Sequence, residues 1–305
     1  MSSETEQKII RVSPSSLNAF LRCERSFKYQ RIDELAPIKR HQPEVTESKG
    51  GNLEKGDFFH VLLRIYYKCI VLELKKREAA ELAKIFGREY APQSNLPISI
   101  SEYLLEIFDQ YVSYYISDVW RPVEVEESFS FCLYEDPELY ILMEGIIDLV
   151  VDIPGVGETS VDHKTASSFG LTKTMGNQFK TYVLYKQHKR MVVNKIHIQK
   201  SVGDKVRFTR HIMNYMPQQL ADWAEDAIFH IKTLAQYLEH DWFPKRETSC
   251  YDFRPCAYIP PCSATPRTME MVARRDFEVK HNPKWDPKTY EERQREELAW
   301  IKQHA

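Results

Sequence analysis

Asp148, Asp162 and Lys164 are the residues whose types and spacing could do chemistry on a metal-bound water. Asp148 closes the run Gly145-Ile146-Ile147-Asp148 within a strand-like stretch, and Asp162-His163-Lys164 follows one hairpin later. Side chains alternate across a strand, so Asp162 and Lys164 share one face, and Asp148 shares one with Glu144, Ile146 and Val150. Two carboxylates and an ammonium can therefore converge. A hard cation such as Mg2+ or Mn2+ takes oxygen ligands and keeps several waters, which suits two aspartates plus the backbone carbonyl of His163. A water on that ion is more acidic, and Lys164 could orient it and stabilise charge as it attacks a phosphodiester in line. Taken alone, Asp-x-Lys is a common triplet, and an exposed edge pair beside a strand-end aspartate is the blander reading.

Two helical pairs flank these residues. Gly56 and His60 lie four apart on one face, where the glycine permits close approach to a neighbouring backbone and His60 could offer an imidazole nitrogen to a metal beside Asp148. Among Phe58, Phe59, Leu62 and Leu63 the same histidine also reads as a core or boundary residue. Gln178 and Tyr182 are again four apart, and Lys186 and Lys189 continue that face within about 80 degrees at roughly 3.6 residues per turn. An amide, a phenol and two cations could hold a DNA phosphate backbone; a solvated surface stripe is the alternative.

Six cysteines occur, at positions 23, 69, 132, 250, 256 and 262. In a reducing compartment a disulfide framework is not expected, and clustered cysteines point to metal or redox chemistry. Cys250, Cys256 and Cys262 have five residues between each neighbouring pair, with Pro255, Pro260 and Pro261 stiffening the segment. This is no C-x2-C zinc knuckle. Three such thiolates plus a distant fourth could ligate a 4Fe-4S cluster. Spacing alone leaves structural zinc, iron-sulfur and plain buried cysteines open. Cys69, in an apolar helix, and Cys132, in a strand, read as core packing.

The elements that must position these residues are legible as an α/β order. A chain of 305 residues, 43% hydrophobic and 12% aromatic, can bury a substantial core. Its net charge of -2 carries no global basic signature for nucleic acid, which leaves only a local stripe. No run approaches the roughly 18 apolar residues of a membrane span. The start lacks a signal-peptide plan, so a cytoplasmic protein with no membrane partner is expected. Ser13 as N-cap and Pro14 at the first helical position open an amphipathic helix bearing Leu17, Phe20 and Leu21, with Cys23 late on it. A loop at 41–52 holds Pro43, Gly50 and Gly51; a long helical pattern then covers 53–88, weakest at Gly87, and another helix 101–118. Strands are predicted at 123–134, 139–153, 158–165, 196–201 and 206–214, with helices at 173–193 and from Pro217 to about 237. This order predicts a central mixed sheet flanked by helices: a helical part at 1–120, a core at 121–245, and a cysteine segment and tail at 246–305, all in one integrated domain. Trp285 and Trp300 suggest that parts of the tail dock.

The four pairs, in this order, resemble the PD-(D/E)XK nuclease superfamily and within it the RecB-like branch. The match lies in Gly56 to His60, Gly145 to Asp148, Asp162-His163-Lys164-Thr165 and Gln178 to Tyr182. The resemblance implies a restriction-endonuclease-like core in which His60, Asp148 and Asp162 hold Mg2+ or Mn2+, Lys164 assists the water, and Gln178 and Tyr182 position DNA. Glu126 is the candidate for a family acid one strand before Asp148. The chain is also similar to the iron-sulfur group that includes the nucleases of CRISPR spacer acquisition and AddB. Ser13, Ser15, Leu17, Cys23, Phe27 and Tyr29 fit that group's N-terminal helix, and Cys250, Cys256 and Cys262 fit its C-terminal cysteines in position, although their spacing departs from the commonest pattern. The resemblance spans about residues 13–262. It implies a DNA nuclease, an exonuclease rather than a site-specific endonuclease, acting on DNA that is single-stranded or has a free end. Recombination, repair or foreign-DNA processing would be its setting, with a helicase or CRISPR-type protein as partner. The alternative is a catalytically silent iron-sulfur DNA-binding module of a larger complex, against which the intact set His60, Asp148, Asp162 and Lys164 argues. A redox protein would not need that set.

Overall fold

The computed structural model describes residues 7–38, 51–166, 176–199, 207–252, 255–280 and 287–305. The loop predicted around Pro43 and Gly50, the start of the helix predicted from residue 173, the end of the strand predicted at 196–201, the first residues of the one predicted at 206–214, and Trp285 lie outside the described residues. In chain order the elements are β1 (Lys8–Val12), α1 (Pro14–Arg22), α2 (Glu24–Phe27), β2 (Leu35–Pro37), α3 (Asn52–Val71), α4 (Lys76–Tyr90) and α5 (Ile98–Tyr114). Then come β3 (Arg121–Glu135), β4 (Leu139–Ile153), β5 (Gly157–Ala166), α6 (Asn177–Lys186), β6 (Arg190–His197) and β7 (Phe208–Asn214). The last are α7 (Pro217–His240), α8 (Ile259–Ser263), α9 (Pro266–Asp276), β8 (Phe277–Val279) and α10 (Pro287–His304). The fold is mixed α/β, with a central mixed sheet and a helical N-terminal region, as the sequence predicts. Among the described residues no helix is long and apolar enough to cross a membrane.

The chain forms two compact units, one of residues 1–45, 130–145 and 218–286, the other of 46–129, 146–217 and 287–305. In the first, β1 runs parallel to the opening half of β4, from Lys8 opposite Leu139 to Val12 opposite Met143. This strand escapes the sequence reading. Ser13 caps α1 by accepting from the Ser16 amide, and Cys23 is the C-cap residue rather than part of the helix. Phe20 and Phe27 pack with Leu234 of α7 and with Phe243, while Tyr29 packs with Tyr258 and Phe277 beside the antiparallel pairing of β2 with β8.

The second unit carries the predicted site. Its helical half is not one long helix weakened at Gly87: α3 ends at Val71, Glu73 takes a left-handed φ of 67°, and α4 starts where the Glu78 carboxylate accepts from the Lys75 amide at 3.3 Å. Gly87 is buried inside α4 because a Cβ there would meet Leu62 Cδ2 at 2.5 Å. With Ala79, Ala80 and Ala83 it lets α4 close on its neighbours, and Phe59, Leu62, Ile65, Leu104 and Phe108 fill the core. In the sheet, β4 pairs antiparallel with β5, β5 parallel with β6, and β6 antiparallel with β7, and α6 is the crossover between the parallel pair. The helix predicted to reach residue 193 stops at Lys186, where Gln187 takes the αL conformation at φ 54°. Residues from Arg190 onward extend instead, because Met191, Val192 and Val193 are wanted on a strand buried on both faces.

Candidate active site

The regular pairing of β4 with β5 runs from Ile153 opposite Gly157 to Leu149 opposite Val161 and stops there. The next residues are Asp148 and Asp162, so both carboxylates sit where the two strands part. Asp148 Oδ2 accepts from the His163 amide at 2.7 Å, replacing a ladder partner with a carboxylate. Within a strand a residue's N–H and C=O point to the same side, so the His163 carbonyl faces the Asp148 side as well. His60 reaches this place from α3, with Nδ1 3.8 Å from Asp148 Oδ2. Gly56 makes that approach possible: a Cβ at this position would lie 2.7 Å from Thr165 Oγ1 on β5. His163 turns its ring to the other face of the strand, stacked on Tyr67 at 5.6 Å between centroids, with Nδ1 2.9 Å from the Asn194 amide.

Asp162 is fully buried, and its hydrogen bonds converge on Oδ1. Lys164 Nζ donates to its Oδ1 at 3.0 Å and lies 2.9 Å from Oδ2. The Gln178 side chain spans the pair, with Nε2 donating to Asp162 Oδ1 at 3.0 Å and Oε1 accepting from Lys164 Nζ at 3.1 Å. The Tyr182 hydroxyl accepts from Gln178 Nε2 at 2.7 Å and donates to the Ile146 carbonyl at 2.7 Å. Gln178 and Tyr182 thus meet the carboxylate and the lysine, and Tyr182 is buried.

The expected exposed stripe of Gln178, Tyr182, Lys186 and Lys189 is therefore corrected. Lys189 lies beyond the end of α6, and Lys186 is engaged by Glu124 at 3.1 Å and Glu127 at 2.8 Å. Helical arithmetic places side chains on a face but does not say that the face looks outward. We expect Gln178→Ala to lower kcat about 10- to 100-fold, as loss of an outer-shell partner does, with DNA affinity nearly unchanged. A fall in affinity with kcat intact, measured by saturation kinetics and by binding in Ca2+, would return Gln178 to a DNA-contacting role.

Electrostatics favour a cation here. Burial pushes both carboxyls up, each to about 6, against the pull of Lys164; at Asp162 the Asp148 charge adds to the rise. Burial lowers His60, against the opposing charge of Asp162, which leaves a neutral ring able to donate a lone pair. Asp162 Oδ2 is buried and makes no hydrogen bond despite the nearby ammonium. Among the described residues no three His, Cys, Asp or Glu side chains are gathered into a ready metal cage. Two carboxylates, one of them with an unsatisfied oxygen, fit an ion that keeps most of its own water, as Mg2+ does.

Sequence reasoning missed the surroundings of Glu126. This residue sits at a left-handed φ of 50° in β3, and its carboxylate accepts from Arg64 at 3.1 Å, Gln294 at 3.3 Å and Arg293. The last two belong to α10, whose buried Glu297 also takes Arg64 and Lys68. Glu126 is therefore already paired, while its charge still bears on Asp148 and His60.

In the other unit Cys23, Cys250, Cys256 and Cys262 are free thiols in one neighbourhood. Cys250 is raised by burial and then by the charges of Cys256 and Cys23, and Cys262 by burial and then by Cys23, with Cys256 contributing. The Cys256 amide donates to the Cys250 carbonyl at 2.8 Å. The four thiols are neighbours without forming a ligand cage as they stand. Cys69 is buried in the core, but Cys132 is exposed, because alternation along β3 puts it on the open side with Ser130 and gives Phe129 to the core.

The profile of the PD-(D/E)XK nuclease superfamily matches residues 11–263 of this chain. No curated protein matches it. A solved structure described as the crystal structure of SSO0001 is similar at 17% identity, covering 57% of this chain and 73% of that chain with a TM-score of 0.29, a likeness that carries nothing over to the site.

Proposed function

The chain belongs to the PD-(D/E)XK nuclease superfamily, and from that premise we propose that it is a divalent-metal-dependent nuclease hydrolysing DNA phosphodiester bonds at Asp148, Asp162 and Lys164. The observation that carries this reading is the parting of β4 and β5 at the two aspartates, with Lys164 and Gln178 locked onto Asp162. Asp148, Asp162, the His163 carbonyl and the His60 imidazole would hold Mg2+ or Mn2+. Such an ion supplies an acidified water and neutralises charge on the phosphate. The Lys164 ammonium would sit beside the attacked phosphate, where it could stabilise developing charge and donate to the water's oxygen. Gln178 keeps the ammonium and Asp162 from swinging apart, and Tyr182 anchors Gln178 to β4 through the Ile146 carbonyl. His60 stays neutral and so leaves the carboxylates' charge intact for the metal.

Within the superfamily we assign the chain to the RecB-like branch on its motif order, as an exonuclease of DNA that is single-stranded or has a free end. Incubation of protein with linear and circular single-stranded DNA and Mn2+ tests this. Progressive shortening of linear strands with circles intact supports it, and cleavage of circles at the same rate sinks the exonuclease part.

Cys23, Cys250, Cys256 and Cys262 are assigned to one structural 4Fe-4S cluster, with Zn2+ as the alternative; their mutual electrostatic influence supports the grouping. A shared metal would tie α1 to the segment after α7 across a long loop and so restrain the unfolded chain. Anaerobic protein is expected to be brown, with iron and sulfide in similar amounts. Replacement of any one of the four by alanine should lower iron content and thermal stability together, whereas Cys69→Ala should leave iron unchanged. Stoichiometric zinc without iron would replace the cluster by a zinc site, and neither metal would return the thiols to packing.

A further inference from the structure

An open cleft of about 760 Å³ adjoins the candidate active site, lined by His60, Arg64, Tyr90, Gln93, Arg293 and Trp300 among others. It shares His60, Arg64 and Glu126 with the small recess that reaches Asp148. A sphere of this volume is roughly 11 Å across, about the width of one B-DNA major groove, so the cleft is too small to take a whole duplex. A volume of this kind suits a small molecule or a few nucleotides.

The lining is unusual for a polyanion. Five carboxylates, those of Asp57, Glu89, Glu126, Glu296 and Glu297, face it with two guanidiniums; Arg64 and Arg293 pair with Glu126 and Glu297, which leaves the charge of Asp57, Glu89 and Glu296 in excess. A run of phosphates is therefore disfavoured inside. Bases are not: carboxylates accept from exocyclic amines, and aromatic faces stack bases of any identity. Two partly buried rings are held ready for this. Tyr90 stacks on Phe58 at 6.3 Å, and Trp300 stacks on His304 at 4.1 Å, meets Phe86 edge-on at 5.0 Å and donates its indole N–H to Glu89 at 2.9 Å, so each ring keeps one face for a base.

We propose that this cleft receives one or two unpaired bases of the strand being cut, stacked against Tyr90 and Trp300, while the scissile phosphate stays at the metal site. The nuclease reading supplies the phosphate's place; the cleft's preference for bases stands on its own lining. Selection for unpaired DNA then comes from α4, its following turn and α10, not from the motif residues.

The test uses a five-nucleotide single strand carrying 2-aminopurine at one end or in the middle, bound in Ca2+ so that cleavage does not intervene. Binding to the parent protein should quench 2-aminopurine at one of these positions more than at the other. Tyr90→Ala should weaken binding about tenfold, the effect of losing one stacked base, and Tyr90→Phe should restore it. In Mn2+ the ratio of single-strand cleavage to hydrolysis of bis-p-nitrophenyl phosphate should fall in Tyr90→Ala by a similar factor and not in Tyr90→Phe. Equal quenching at both positions, or parental affinity in Tyr90→Ala, overturns the proposal. Quenching and the Tyr90→Ala defect without hydrolysis of any phosphodiester would sustain the cleft and sink the nuclease reading.

Discussion

Asp162→Asn is expected to remove metal-dependent hydrolysis, by about 10⁴-fold or more, and at the same time to make the metal-free protein more stable at neutral pH. Groups that act as a unit in a site lose nearly all rate when one is removed, which sets that scale. The stabilisation follows from burial: the folded carboxyl is held near 6 instead of 3.8, so keeping it ionised at pH 7.5 costs of the order of 3 kcal/mol. Asparagine keeps the shape and can still accept from Lys164 through its oxygen, whereas alanine would leave a void in a fully buried place. Thermal melts of the two proteins without metal check the sign. A variant that melts lower than the parent at pH 7.5, or that cleaves at the parental rate, contradicts the role given to this carboxylate.

The second large effect is on pH. Asp148 and Asp162 have folded values raised from 3.8 to about 6, so between these values the native state holds protons that the unfolded chain has released. Stability of the metal-free protein should then fall as pH rises from about 4 to about 6 and level off above, the two interacting carboxyls losing their protons in successive, overlapping steps. Added Mn2+ should reverse the loss: a Tm rise of several degrees at pH 7.5 and almost none at pH 5, where protons compete for the same oxygens. The same rise in Asp162→Asn, or a rise independent of pH, would place the metal elsewhere.

Much of this arrangement is legible in the chain. Asp148, Asp162 and Lys164 fall on strand positions whose alternation puts them together, and the parting of the strands at Asp148 needs only that the ladder stop one residue early. Gly56 reads as a close-approach residue, and it does face Thr165. What resists reading has identifiable causes. Lys186 to Arg190 is a polar, basic run with no Gly or Pro to mark a break before Met191, and only the αL turn at Gln187 separates α6 from β6. Trp300 hints that the charged tail docks, but the ion pairs of Glu297 in α10 do not show in the chain, because their partners Arg64 and Lys68 lie more than two hundred residues earlier and ion pairing leaves no periodic signal. Tyr182 looks like a surface phenol by spacing, yet the carbonyl of Ile146 gives its hydroxyl a buried partner.

The central claim is that Asp148, Asp162 and Lys164 form one metal-dependent hydrolytic site. Single-turnover cleavage of end-labelled single-stranded DNA by anaerobically purified protein, with Mn2+ or with EDTA, tests it most directly when parent, Asp162→Asn and Lys164→Ala are run together. Cleavage by the parent in Mn2+ only, none detectable in Asp162→Asn, and a rate about 10²- to 10³-fold lower in Lys164→Ala with Mn2+ binding retained is the predicted result. Cleavage that persists in EDTA, or that both variants carry out at the parental rate, would contradict it.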